Sequence, residues 1–189
     1  CCAIERVYVA EEKYTALCEA VTARMRALSM NETDIKTGEI GPIIFGRQAD
    51  ILRAQLADAK AKGARVLLGG NVVSHGGGLW CEPTVLTNLT HDMTVMSDET
   101  FGPIIPIMPF SNLDEAVRLA NDTEYGLSAT VIGDENEAIA IGERLNAGGV
   151  WINDFDTIGG VGEIAEKTAF GVSGLGGSRY GFAGFHRFL

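Results

Sequence analysis

Positive charge is scarce in this chain of 189 residues: 15 Lys and Arg stand against 25 Asp and Glu, a net charge of −10. That balance leaves no whole-chain basic footprint for a nucleic acid. Long apolar runs are missing too. None approaches the roughly 18 residues of a membrane span, and no basic stretch followed by an apolar one forms a leader. The expectation is a protein with no nucleic acid and no membrane among its partners. Cysteine is sparse, at Cys1, Cys2, Cys18 and Cys81, too few and too scattered for a disulfide scaffold. There is no Cys-x-x-Cys pair, and His75, His91 and His186 stand apart without metal-ligand spacing. No metal site is expected, and a reducing, cytoplasmic setting suits such thiols. Glycine, by contrast, is abundant: 24 residues, nearly twice the usual share of about 7%. Eleven of them fall in residues 148–189.

The apolar pattern alternates between strand and helix. Arg6 to Val9 reads as a short buried strand. Tyr14, Leu17, Val21, Met25 and Leu28 recur at steps of three and four, which predicts a helix over 11–28. A polar loop follows over 31–41. A second helix is expected over 48–62, with Leu52, Leu56 and Ala59 on one side and Gly63 as its stop. Arg65 to Leu68 is a strand ended by Gly69 and Gly70, and Gly76 to Gly78 reads as flexible loop. Residues 80–86 are extended, with Pro83 arguing against a central place in a sheet. Pro106 likewise argues for an edge or a break in the apolar run 104–108. Helices are expected over 113–120, with Asn112 available as a cap, and over 135–145. Strands are expected over 128–132 and 149–152. This alternation predicts an α/β fold with an open, largely parallel sheet and flanking helices. Residues 1–158 are expected to form one α/β domain and 159–189 a Gly-rich tail.

Few residues carry chemistry by themselves. The glycines of 171–177 match neither the phosphate-loop spacing nor the dinucleotide fingerprint and read as a close-packed crossing. The turn Ser97 to Pro103 is acidic, then aromatic, then Gly-Pro. A carboxylate there can hold a sugar diol because it accepts two hydrogen bonds at once, and loops at the ends of parallel strands are common ligand sites. Composition alone equally describes a solvated acidic turn. Cys1 and Cys2 precede a strand, and a thiolate there is a nucleophile only if it is accessible and its pKa is lowered.

Read together, several segments resemble the catalytic, C-terminal half of the NAD(P)-dependent aldehyde dehydrogenase family. They are Cys1-Cys2-Ala3-Ile4-Glu5-Arg6-Val7-Tyr8-Val9, Gly41-Pro42-Ile43-Ile44 and Gly63 to Gly70 with Glu82-Pro83-Thr84-Val85-Leu86. The others are Asp98-Glu99-Thr100-Phe101-Gly102-Pro103, Asn121 to Ala129 and Gly148-Gly149-Val150-Trp151-Ile152-Asn153. Each is weak alone; six in the right order are specific. The resemblance implies that Cys1, five residues before Arg6, attacks an aldehyde to give a thiohemiacetal. Hydride loss to NAD or NADP then leaves a thioester, which water hydrolyses to the acid. It places Glu99 on the nicotinamide ribose and Phe101 against the nicotinamide. Asp156, Thr157, Ile158 and Phe170 fall along the aldehyde tunnel.

Two features depart from the family pattern. Asp98 stands for a Glu, and Phe170-Gly171-Val172-Ser173-Gly174 is a shortened segment without its Lys. In the family, the dinucleotide-binding domain, an oxyanion-hole Asn and the general-base Glu precede the nucleophile. The chain is therefore expected to be the second half of a larger homo-oligomeric enzyme, inactive by itself. Phe185 to Leu189 resembles the approach to the strand that pairs subunits. Two rival readings are a hydrolase using an N-terminal Cys, whose own amine serves as base, and a non-catalytic assembly module.

Overall fold

The computed structural model describes residues 3–32, 34, 36–155 and 168–174. They fall into two compact units, one of residues 3–112 and one that begins at Leu113. The expected boundary at 158/159 lies outside the described residues.

The first unit is a three-layer α/β arrangement. Its strands β1 (Val7–Ala10), β2 (Arg65–Leu68), β5 (Thr84–Thr87) and β6 (Ile104–Phe110) form one open sheet in the order β1-β6-β5-β2. β1 and β5 both run parallel to β6, and β2 is antiparallel to β5. Because side chains alternate across a strand, neighbouring residues serve opposite layers. Val7, Val9, Val85, Ile105 and Ile107 meet Tyr14, Leu17, Cys18, Val21 and Met25 of helix α1 (Glu11–Arg26). Tyr8, Leu86, Ile104 and Met108 turn the other way, toward Leu52, Leu56 and Ala59 of helix α2 (Gly46–Ala61). A register shift in β2 between Val66 and Leu68 breaks the alternation. Val66 therefore joins the α2 layer while Leu67 and Leu68 both join the α1 layer.

The helix expectations hold for physical reasons. Helix α1 carries Glu11 and Glu12 in its first turn and Arg24 and Arg26 in its last, matching the helix dipole. Helix α2 ends where Gly63 adopts φ +96°. A short helix α3 (Thr94–Ser97) links β5 to β6.

Three expectations are corrected. Pro106 is fully buried within β6, a central strand, and not at an edge or a break. Each residue of a strand offers its N–H to one side only. Pro106 and Pro109, three apart, therefore face opposite neighbours, and both ladders persist: β5 pairs along Ile104–Pro106 and β1 along Ile107–Phe110. Pro83 lies just before β5, which is central as well. The Gly76–Gly78 run is the turn of a hairpin between β3 (Val72–His75) and β4 (Gly78–Cys81). Gly76 and Gly77 have φ of +53° and +86°, the left-handed pair that a two-residue hairpin turn demands.

The second unit contains α4 (Leu113–Asn121), β7 (Tyr125–Gly126), β8 (Ser128–Val131), α5 (Glu135–Gly142), β9 (Gly149–Ile152) and β10 (Phe170–Gly171). β8 and β9 pair in parallel, and β10 pairs antiparallel with β7. Asp134 caps α5, its side chain accepting from the N–H groups of Asn136 and Glu137. Among the described residues, no helix is long and apolar enough to cross a membrane. No group of three or more His, Cys, Asp or Glu gathers as a metal site would, again among the described residues.

Candidate functional site

Glu99 and Phe101 lie in one turn, residues 98–103, between α3 and β6. The turn enters β6 at its amino end, so the carboxyl-end rule for ligand loops does not account for it. What holds it is a set of long-range side-chain bonds. Gln48 and Gln55, seven residues apart on α2, reach it from the helix. Gln48 Nε2 donates to the Thr100 carbonyl at 2.5 Å and Gln55 Nε2 to the Glu99 carbonyl at 3.1 Å. From the other direction, Glu5 accepts from the Thr100 N–H at 2.8 Å and the Phe101 N–H at 3.3 Å. Arg6 donates to the Met96 carbonyl at 3.2 Å, just ahead of the turn. Gly102 lets the turn press onto α2, since a Cβ there would lie 2.6 Å from Leu52 Cδ2.

This anchoring supports an unusual backbone. Phe101 has φ +47°, a left-handed conformation that costs a non-glycine residue about 1–2 kcal/mol. The result is a half-exposed ring, 52% accessible, beside an exposed Glu99. Among the described residues no hydrogen bond occupies the Glu99 carboxylate, so both oxygens can accept from a ligand. Phe101, Gly102 and Pro103 form one wall of a cavity of about 410 Å³; Gly41 to Phe45, Gln48 and Cys81 complete it. Ile44 and Phe45 are exposed at its side.

Of the other expected site residues, Phe170 is placed in the second unit. It opens β10 opposite Gly126 and is 46% exposed. Gly171 follows at φ +58°, where a Cβ would come within 2.0 Å of the Glu124 carbonyl oxygen. Cys1, Asp156, Thr157 and Ile158 lie outside the described residues. Cys18 and Cys81 are free and buried. Burial pushes the Cys81 thiol up to about 11, with the Glu82 charge adding to it. Burial also raises Cys18, so both remain protonated and unreactive at neutral pH.

Reading the sequence missed Glu5, Gln48 and Gln55. Gln55 had a signal: it is 3% exposed, between Leu52 and Leu56 on the buried face of α2. A buried amide needs a hydrogen-bonding partner. Glu5 had none, because its partners lie 95 and 96 residues away.

Fold and turn together define an α/β domain that presents a carboxylate and an aromatic ring beside an apolar cavity. The Aldehyde dehydrogenase family matches residues 1–189, and the chain belongs to that family. It is 36% identical over 177 residues to a Mycobacterium ulcerans protein provisionally named succinate-semialdehyde dehydrogenase [NADP(+)] 2, covering 93% of this chain and 34% of that one. A solved structure from Anabaena variabilis, provisionally named aldehyde dehydrogenase PutA, is 49% identical with a TM-score of 0.94. That match covers 100% of this chain and 40% of the other. Betaine aldehyde dehydrogenase from Staphylococcus aureus, solved with NAD+, is 28% identical with a TM-score of 0.86, over 97% of this chain and 37% of that one. The chain thus spans about a third of the length of the curated relatives it matches.

Proposed function

We propose that this chain supplies the catalytic half of an NAD(P)-dependent aldehyde dehydrogenase, with Cys1 as the nucleophile. The observation that carries the reading is the anchored turn of residues 98–103, in a chain that belongs to the family. An exposed carboxylate suits a ribose diol, and a half-exposed ring suits the face of a nicotinamide. Glu99 and Phe101 are thus the residues that would hold NAD or NADP. The bound dinucleotide supplies the hydride acceptor. The Cys1 thiolate attacks the carbonyl carbon and forms the C–S bond of a thiohemiacetal. After oxidation the acyl group remains on sulfur as a thioester. Water cleaves that bond, releasing the carboxylic acid and restoring the thiol. Asp156, Thr157, Ile158 and Phe170 shape the passage by which the aldehyde reaches Cys1.

The reading includes a homo-oligomeric full-length enzyme in the cytoplasm; the free, buried Cys18 and Cys81 suit a reducing compartment. The test is dinucleotide reduction by the full-length protein over a panel of aldehydes. We expect turnover in the wild type and a loss of roughly a thousandfold or more in Cys1→Ala. An alanine variant that keeps its activity overturns the assignment of Cys1.

A further inference from the structure

We propose that Glu5 is the positioning residue of the cofactor turn: its carboxylate fixes the backbone from which Glu99 and Phe101 reach the dinucleotide. The inference rests on the reading of those two residues given above. Two successive N–H groups, of Thr100 and Phe101, converge on one carboxylate at 2.8 and 3.3 Å. Successive backbone donors converging in this way form an anion-binding nest, and here the anion is supplied by the chain itself. Bonds to an ionised acceptor are the stronger kind.

The geometry divides the work. α2 holds only carbonyls, through Gln48 to Thr100 and Gln55 to Glu99. Glu5 holds the amide donors on the opposite side of the same peptides. Carbonyl anchors alone let the peptide planes rotate about their attachment points, and the left-handed Phe101 then has a lower-energy conformation to relax into. With the amides pinned as well, the strained conformation is over-determined and persists. Among the described residues Glu5 bonds the turn only through the Thr100 and Phe101 N–H groups, so it acts through the backbone. It also stands four residues after Cys1. The segment that carries the nucleophile therefore carries the support of the cofactor turn too.

The experiment compares Glu5→Ala, Glu5→Gln, Glu99→Gln and the Glu5→Ala/Glu99→Gln double variant in the full-length enzyme. The readouts are dinucleotide Kd, by fluorescence titration with NADH or NADPH, the KM for aldehyde, and Tm. We expect Glu5→Ala to weaken dinucleotide binding about tenfold with the aldehyde KM unchanged. Glu5→Gln, which keeps one accepting oxygen, should weaken it less. The double variant should bind more weakly than Glu99→Gln alone by less than the full Glu5→Ala factor, because only the part of the Glu5 effect that runs through Phe101 remains. A folded Glu5→Ala enzyme with wild-type Kd overturns the inference while leaving the role of Glu99 intact, and so do effects that multiply in the double variant. An unchanged Kd in Glu99→Gln overturns the reading of Glu99, and this inference with it. If Glu5→Ala fails to fold, Glu5→Gln carries the same test.

Discussion

Leu52 and Gly148 show how differently the two units are held together. Leu52 is fully buried in the first unit, inside a cluster that includes Leu56, Leu86, Met93, Met96 and Ile104. In the second unit, among the described residues, only Val117, Leu119 and Ala138 are buried apolar side chains. There the backbone itself is close-packed: a Cβ on Gly148 would sit 1.8 Å from the Thr168 carbonyl oxygen. Polar side chains then act as staples. Asn121 donates to the Arg144 carbonyl at 2.9 Å and accepts from the Asn146 N–H at 2.8 Å. Asn153 likewise accepts from the Gly133 N–H at 2.9 Å and donates to its carbonyl at 3.0 Å. The first unit is ordered by side-chain interdigitation, the second by glycine-permitted contact and asparagine bonds. The first can support a strained turn because a packed layer lies beneath it.

The contrast can be broken by substitution. Leu52→Ala should have the largest effect, lowering unfolding free energy by about 2–5 kcal/mol in denaturant titration. It also removes the surface on which Gly102 rests. A loss under about 1 kcal/mol would show that the first unit does not depend on its core in this way. Asn121→Ala should cost less, about 1–2 kcal/mol for two partly exposed bonds. Hydrogen exchange should show the loss at Asn146 and its neighbours while α2 stays protected. A cost equal to that of Leu52→Ala would erase the distinction.

Acid provides the mildest test. Hydrogen bonds from the Thr94 N–H and from Lys62 hold the Asp58 carboxyl below its usual value of 3.8. The Thr90 hydroxyl does the same for Asp92. Bonds from the Ser29 N–H and hydroxyl hold Glu39 below 4.5. A folded-state pKa below the unfolded one adds stability that is fully present above the unfolded value. It is lost as pH falls through the folded one. All three carboxylates belong to the first unit. Tm should therefore be flat from neutral pH down to the ordinary carboxylate range and fall beneath it. Asp58→Asn should remove part of that slope. A slope unaffected by Asp58→Asn would mean that other carboxylates govern the acid limb.

Much of this was legible in advance, for particular reasons. α2 could be read from Leu52, Leu56 and Ala59 because a 3.6-residue period survives any tertiary context. Central β6 was misread because Pro106 weighs heavily as a local signal, whereas its cost depends on which side of the strand loses a donor. The motif segments were legible as family marks but not as roles. Asn121 and Asn153 turn out to staple backbone. Thr84 does the same: its hydroxyl accepts from the Gly70 N–H at 2.8 Å and donates to the Glu82 carbonyl at 2.7 Å. Of the candidate site, Glu99 and Phe101 stand in a contiguous motif, while the side chains that anchor their turn do not.

The sequence by itself determined the α/β class, the positions of the helices and most strands, and the candidate residues of the acidic turn. These follow from periodicity, turn chemistry and contiguous motifs, all of which act over a few residues. Only the tertiary structure decided that β5 and β6 are central and that α1 and α2 take opposite faces of the sheet. It alone brought Glu5 to the amides of Thr100 and Phe101. The reason is the range of the interaction: a hydrogen bond between residues 95 apart leaves no trace in local pattern. It exists only because β1 lies parallel beside β6 and brings Glu5, two residues before it, to the mouth of the turn.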